Sequence, residues 1–304
     1  MLFALTSRWN AGRHAAGEEM IEEILDLGFP AVELGYNLRM DLVPGVQSMV
    51  RQKAVIVTSV HNFCPVPVGA PAGHPELFTL ADPDPRVRQL AVQHTTRTIR
   101  FAAETGARAV VLHAGNVDMK RLTERLLALY EHGQQFSPKF EKIKLKMLTL
   151  REKKVRRQLE YLYSGIEALL PVLQECGIRL GIENLPNWET LPTETEIEAL
   201  LKHFNSPLLG CWHDTGHAAI RRFFGLINPE RWMERLEEHL IGLHIHDARA
   251  PAMDHLMPPS GEIDFTQYKR YAARDVCRVF EPGPSATASE IKAGLDYIRT
   301  LWSD

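Results

Sequence analysis

Short apolar, β-branched runs recur along the chain, and each is followed by a stretch whose apolar residues repeat every three or four positions. The runs are LFALTS (2–7), AVELGY (31–36), AVIVTSVH (54–61), AVVLHAG (109–115), RLGIEN (179–184), LLGCWHD (208–214), LIGLHIHD (240–247) and VCRVFEPG (276–283). They are near-continuous in hydrophobicity, the mark of strands buried on both faces of a parallel sheet. Helix-period segments fill the intervals at about 17–28, 40–52, 84–105, 155–177, 193–204, 217–237, 264–273 and 286–302. Eight strand–helix units in 304 residues match a (β/α)8 arrangement. The pattern therefore predicts an α/β chain folded as a single TIM-barrel domain over 1–304. The competing architecture is a doubly wound open sheet. No GxGxxG follows the first run, which counts against its dinucleotide-binding form.

One segment breaks the rhythm. Residues 118–160 follow the fourth strand, are too long for a βα loop, and carry the charged run KFEKIKLKMLTLREKKVRRQLE from Lys139 to Glu160. The spacing predicts a helical insertion, read either as a solvated hairpin with its charges in water or as a lid or oligomer contact. It leaves the end of a strand where barrel active sites are built. Its basic excess suits an anionic substrate or a neighbouring subunit, so a homo-oligomer stays open.

Composition narrows the class. The chain is 45% hydrophobic and 24% charged, as globular chains are, with a net charge of −3. That balance weighs against a dedicated nucleic-acid binder, which would ordinarily be basic. No apolar run reaches the roughly 18–20 residues of a membrane span, and the apolar N-terminal stretch lacks a basic region before it. Cys64, Cys176, Cys211 and Cys277 stand far apart with no CxxC, as expected of reduced thiols in a cytoplasmic protein.

Chemistry enters at the strand ends. Successive runs finish in Glu33, His61, His113, Glu183, Asp214 with His217, His244 with His246 and Asp247, and Glu281. A barrel gathers all C-terminal strand ends around one mouth. Any one such residue is ordinarily a hydrogen-bonded structural group. Together, several carboxylates in a confined mouth repel one another, and a divalent cation removes that repulsion. Mixed imidazole and carboxylate donors suit Zn²⁺, Mn²⁺ or Co²⁺ better than Ca²⁺. Mg²⁺ also stays open.

The motifs GIEN (181–184), HDTGHA (213–218), LHIHD (243–247), DHLMPPSGEIDF (254–265) and FEPG (280–283) together resemble the xylose isomerase-like barrel superfamily. That group holds sugar isomerases and epimerases and the endonuclease IV type of abasic-site nuclease. The resemblance covers the chain except 118–160. It implies a metal held by Glu183, Asp214, His244 and Glu281. His244 is chosen over His246 because the family's histidine stands three residues before the aspartate, here Asp247, and His246 is expected on the other side of the strand. His217 matches a residue that is a metal ligand in the nuclease branch and a substrate contact in the epimerase branch. His61, His113 and His255 match further nuclease ligands. The last of those ligands, an aspartate two before His255, is Met253 here, which cannot replace a hard carboxylate.

Two chemistries follow. The first is a divalent-metal-dependent sugar, sugar phosphate or polyol isomerase or epimerase, in which Glu183 and Glu281 are the acid–base pair working through an enediolate. His217, Arg249, Trp188 and His61 would then contact the substrate. Trp188 and Trp212 are equally well placed as core packing and Arg249 as a surface residue, and Glu33 is either an additional base or a structural hydrogen-bond acceptor. The second is a phosphodiesterase acting on abasic DNA, favoured by His61, His113 and His255. Met253 and the proline-rich, apolar segment 61–78 argue instead for a small-molecule pocket. Related lyase or ring-cleavage chemistry, and a non-catalytic sugar-binding role, complete the alternatives.

Overall fold

The computed structural model describes residues 1–303. Eight parallel strands close into a barrel: β1 (Ala4–Thr6), β2 (Ala31–Leu34), β3 (Ile56–His61), β4 (Ala109–Leu112), β5 (Arg179–Glu183), β6 (Leu209–Asp214), β7 (Leu240–Ile245) and β8 (Cys277–Phe280). The neighbour order runs β1-β8-β7-β6-β5-β4-β3-β2, so every strand pairs with its sequence neighbours and β1 closes on β8. Each strand lies inside one of the apolar runs. The helices are α1 (Gly17–Asp26), α2 (Val43–Arg51), α3 (Pro85–Glu104), α4 (Thr123–Glu131), α5 (Pro138–Cys176), α6 (Glu194–Phe204), α7 (Thr215–Phe223), α8 (Pro229–Leu236), α9 (Lys269–Ala272) and α10 (Ala288–Trp302). Among the described residues no helix is long and apolar enough to cross a membrane.

The barrel interior is plugged by Trp212. It is fully buried with Ala4, Ala31, Ala109, Val111, Ile241, Cys277 and Val279 around it. Small residues make the room: a Cβ on Gly242 would lie 2.3 Å from Trp212 Cζ3, and one on Gly181 2.9 Å from Cε3. The His244 ring sits 5.1 Å from the indole. Trp212 is thus core packing, and the polar layer of the mouth rests on it.

The segment expected as an insertion before a separate helix at 155–177 is built differently. Ser137 caps α5, accepting the Phe140 N–H, and Gly177 at φ 66° stops it 39 residues later. The second arm of the insertion is therefore the first half of barrel helix α5. At 1.5 Å per residue the helix is about 58 Å long. Its overhanging half and α4 bury Leu122, Leu126, Phe140, Ile143 and Met147 against Ile220 and Phe224 of α7. The helix expected over 217–237 is two, α7 and α8, parted at Gly225 with φ 64°.

Two polar staples tie this overhang to the segment after β5. Glu189 accepts the N–H groups of Leu122 and Thr123 at 2.6 and 2.9 Å, capping α4. Arg151, buried, donates to the carbonyls of Trp188 and Thr190 at 2.7 and 2.8 Å and makes a two-pronged contact with Glu196 at 2.5 and 2.8 Å. Removing one member of a buried ion pair strands the other, at about 3–5 kcal/mol. Arg151→Met is expected to lower unfolding free energy by that order in urea titrations. Lys153→Met, on the exposed face of the same helix, should change it by less than about 0.5 kcal/mol.

Candidate metal centre at the barrel mouth

Strand ends deliver the site. Glu183 ends β5, Asp214 ends β6, His244 lies on β7 and Glu281 follows β8. One ligand-type atom from each of these four lies within 4.8 Å of the others, and all four residues are buried. His244 is the hub. Its Nδ1 is 3.0 Å from Glu183 Oε1, 3.3 Å from Glu281 Oε2 and 3.8 Å from Asp214 Oδ2. Its Nε2 is 3.1 Å from Glu33 Oε1. Glu33 in turn accepts the Ser59 hydroxyl at 2.7 Å. Glu33 is thus a hydrogen-bond acceptor that orients the ring, the usual arrangement behind a metal-facing imidazole.

Two further clusters adjoin this set. His61, His113 and Glu183 form one, with His113 Nε2 3.0 Å and His61 Nε2 3.3 Å from Glu183 Oε2. Glu183 therefore belongs to both. His217, His246 and His255 form the other. The expectation that His246 faces away is overturned. Residues two apart on a strand share a face, and the His246 ring stands beside His255 with centroids 4.2 Å apart. Its Nε2 is 2.9 Å from Asp214 Oδ2. Met253 is 53% exposed and takes no part. In its place the mouth gains His246, and Asp254 Oδ2 comes to 3.9 Å from His217 Nε2.

Local folding explains the placement. Asp214 caps α7, its Oδ1 accepting the His217 N–H at 2.7 Å, so its second oxygen and the His217 ring turn the same way. Asp247 accepts N–H groups from Ala248, Gly261 and Ile263 at 2.8, 2.7 and 3.1 Å. That bond set folds the loop carrying His255 back over the mouth. His255 N–H reaches His246 Nδ1 at 2.8 Å, and its own Nδ1 approaches the Glu281 carbonyl at 3.0 Å.

Burial alone would neutralise these carboxyls, yet they are held ionised. It works against Glu183, but His244 and His113 outweigh it and hold the carboxyl well below its ordinary range. Glu281, also opposed by burial, is brought to about 2 by His244, His255 and Arg8. His113 is raised to about 9, against burial, by Glu183 and Glu76. Burial and the neighbouring His246 push His255 down to about 4. Three buried carboxylates and an imidazole converging on one point fit a divalent cation of the Zn²⁺, Mn²⁺, Co²⁺ or Mg²⁺ kind.

Two residues expected at the mouth are elsewhere. Arg249 is exposed and its guanidinium donates to the Ser260 carbonyl. Trp188 packs under Arg151 and Arg221, lining an outer cavity of about 550 Å³ between α5, α6 and α8. That cavity is larger than the one of about 180 Å³ beside His113 and His217, but it holds none of the three clusters, whereas the smaller one is lined by a member of two of them. Three mouth residues escaped the sequence. Glu76, 3.7 Å from His113 Nδ1, hides in the proline-rich segment. Arg8 and Tyr36 follow the first and second strands, and only their position after a strand marks them.

The Xylose isomerase-like TIM barrel family model matches residues 21–300, and the chain belongs to that family. A relative, the uncharacterized protein MJ1311 of Methanocaldococcus jannaschii, is 25% identical over 187 residues, covering 60% of this chain and about half (52%) of its own length. Among solved structures, a D-tagatose 3-epimerase-like protein superposes with a TM-score of 0.70 at 19% identity, over 99% of this chain and 97% of its own. The 3-keto-D-glucoside 4-epimerase YcjR from E. coli gives 0.71 at 16% identity, over 99% of both chains. At these identities the likeness is one of fold.

The packing of His246 can be tested directly. A Cβ on Gly216 would lie 2.1 Å from His246 Cε1. Gly216→Ala is expected to displace that ring and cost about 1–3 kcal/mol, read as a lower urea midpoint.

Proposed function

We propose that the protein is a metal-dependent isomerase or epimerase of a sugar or polyol. The observation that carries this reading is the pairing of Glu183 and Glu281, two ionised carboxylates from β5 and from beyond β8, both against His244 Nδ1. Glu183, Asp214, His244 and Glu281 would hold the ion. A divalent cation there polarises substrate carbonyl and hydroxyl oxygens and acidifies the adjacent C–H bond. One glutamate takes the proton from carbon, and the other returns a proton to the opposite face, giving an epimer, or to the neighbouring carbon, giving an isomer. His217 and His61 line the same space and would contact hydroxyl groups. The small cavity beside His113 and His217 suits a substrate of sugar size better than a duplex. The epimerases named above add the weight of a shared fold.

A second reading is a metal-dependent phosphodiesterase. It is favoured by the two additional clusters, because Glu183 shared between neighbouring sites is how two ions are held side by side for hydrolysis.

Turnover of a ketose panel in heavy water separates the readings. Solvent deuterium is expected at the carbon that epimerises. Cleavage of abasic DNA without ketose turnover would replace the first reading by the second. Glu183→Gln and Glu281→Gln are each expected to fold and to lower turnover by about 10²–10⁴-fold; retained turnover in both sinks the acid–base assignment. Chelation should abolish activity and Mn²⁺ restore it, with elemental analysis giving at least one ion per wild-type chain and a reduced content in Asp214→Asn.

A further inference from the structure

Arg8 is a cation at the mouth whose donors are almost wholly unused. It follows β1, and its Nε donates to the Tyr36 hydroxyl at 2.6 Å. That is the one hydrogen bond its guanidinium makes among the described residues, out of five N–H donors. Nη1 is shielded from solvent and has no partner. Glu281 Oε1 stands 3.6 Å from it, an electrostatic neighbour beyond hydrogen-bond reach and engaged by one nitrogen only. The Tyr36 hydroxyl accepts from Arg8 and keeps its own proton to donate. Its ring packs edge-on against His61, with centroids 5.2 Å apart. The backbone that carries the arginine is pinned: a Cβ on Gly35 would lie 2.7 Å from Arg8 N and 3.0 Å from its Cα, and Asn37 donates to its carbonyl at 3.0 Å.

A planar fork of this kind matches the paired oxygens of a carboxylate or phosphate. The imidazoles nearby are engaged by Glu183, Glu76 and Asp214, and the carboxylates repel such a group, so Arg8 is the guanidinium beside the metal-facing carboxylates with donors to spare. A neutral substrate would leave Arg8 with only its loose, 3.6 Å ion pair to Glu281 and most of its donors unmet; an anionic one satisfies them.

We propose that Arg8 and Tyr36 form an oxyanion subsite at the rim of the mouth, so that the substrate carries a carboxylate or a phosphate at the end remote from the reacting carbon. This rests on the mouth being the substrate site, as proposed above. It adds the charge of the substrate, which the metal-facing residues do not determine.

Calorimetric titration of the full-length, Mn²⁺-loaded protein with inorganic phosphate tests the subsite without any need for turnover. Saturable binding is expected. It should weaken about tenfold or more in Arg8→Gln, a few-fold in Tyr36→Phe, and less in Arg8→Lys than in Arg8→Gln. No saturable binding, or binding in Arg8→Gln and Tyr36→Phe within twofold of wild type, overturns the proposal. Should Arg8→Gln fail to fold, Tyr36→Phe and Arg8→Lys carry the same comparison. For any ketose that is turned over, Arg8→Gln should raise KM for the phosphate or acid form about tenfold more than it raises KM for the uncharged parent. Equal loss on both forms overturns the subsite and leaves the isomerase reading intact. Arg8-dependent phosphate binding without ketose turnover supports the subsite while removing that reading. Carboxylate and phosphate forms of one sugar, compared in the same assay, distinguish the two sources of the anion.

Discussion

Charge balance around one imidazole governs the upper half of this barrel. His244 lies within 4 Å of four buried carboxylates, Glu33, Glu183, Asp214 and Glu281. Four anions gathered in a medium that solvates them poorly repel one another strongly. The fold answers by surrounding them with imidazoles and one guanidinium, and by leaving them convergent enough to share a cation. Nearly every other polar contact at the mouth can be traced to holding this arrangement in register.

The holding is done from below and from the sides. Trp212 fills the interior and supports the His244 ring, and glycines on β5 and β7 give the indole its space. Asp214 aligns α7 through the His217 N–H, while Asp247 gathers three N–H groups to fold the His255 loop inward. Glu189 and Arg151 fasten the overhanging helices to the segment immediately after Glu183. The ligand-type residues thus sit on strands and strand ends, and the loops that complete the mouth are pinned by buried carboxylates of their own.

Much of this was legible in the sequence because a barrel imposes strong regularities. All eight strands lie within runs chosen by hydrophobic continuity, and the ligand-type residues at the run ends gather at one mouth, with Asp247 turned instead to loop N–H groups. The failures have physical causes. His246, expected on the far face, instead follows directly after β7 and keeps the face of His244 two residues before it. Arg249 is drawn aside by the Ser260 carbonyl, and Trp188 is trapped between two arginines, neither of which has a periodic signature. Arg8, Tyr36 and Glu76 reach the mouth by tertiary packing of loops, so their roles appear only when distant segments are brought together. The continuity of α5 was missed because its overhanging half reads as a charge-rich insertion and its lower half as an ordinary amphipathic helix.

That continuity has a mechanical consequence. The overhang is one continuous helix with the part packed on the barrel wall, its ladder lacking only the bond that Pro171 cannot donate, and Arg151 bolts it about a third of the way along. A flap on flexible hinges can open without disturbing what lies beneath it; a cantilever cannot. Any tilt of this helix would be transmitted to the carbonyls of Trp188 and Thr190, and through them to the short segment joined to Glu183. The overhang and the segment that carries Glu183 are therefore mechanically linked, so a load on one is felt by the other.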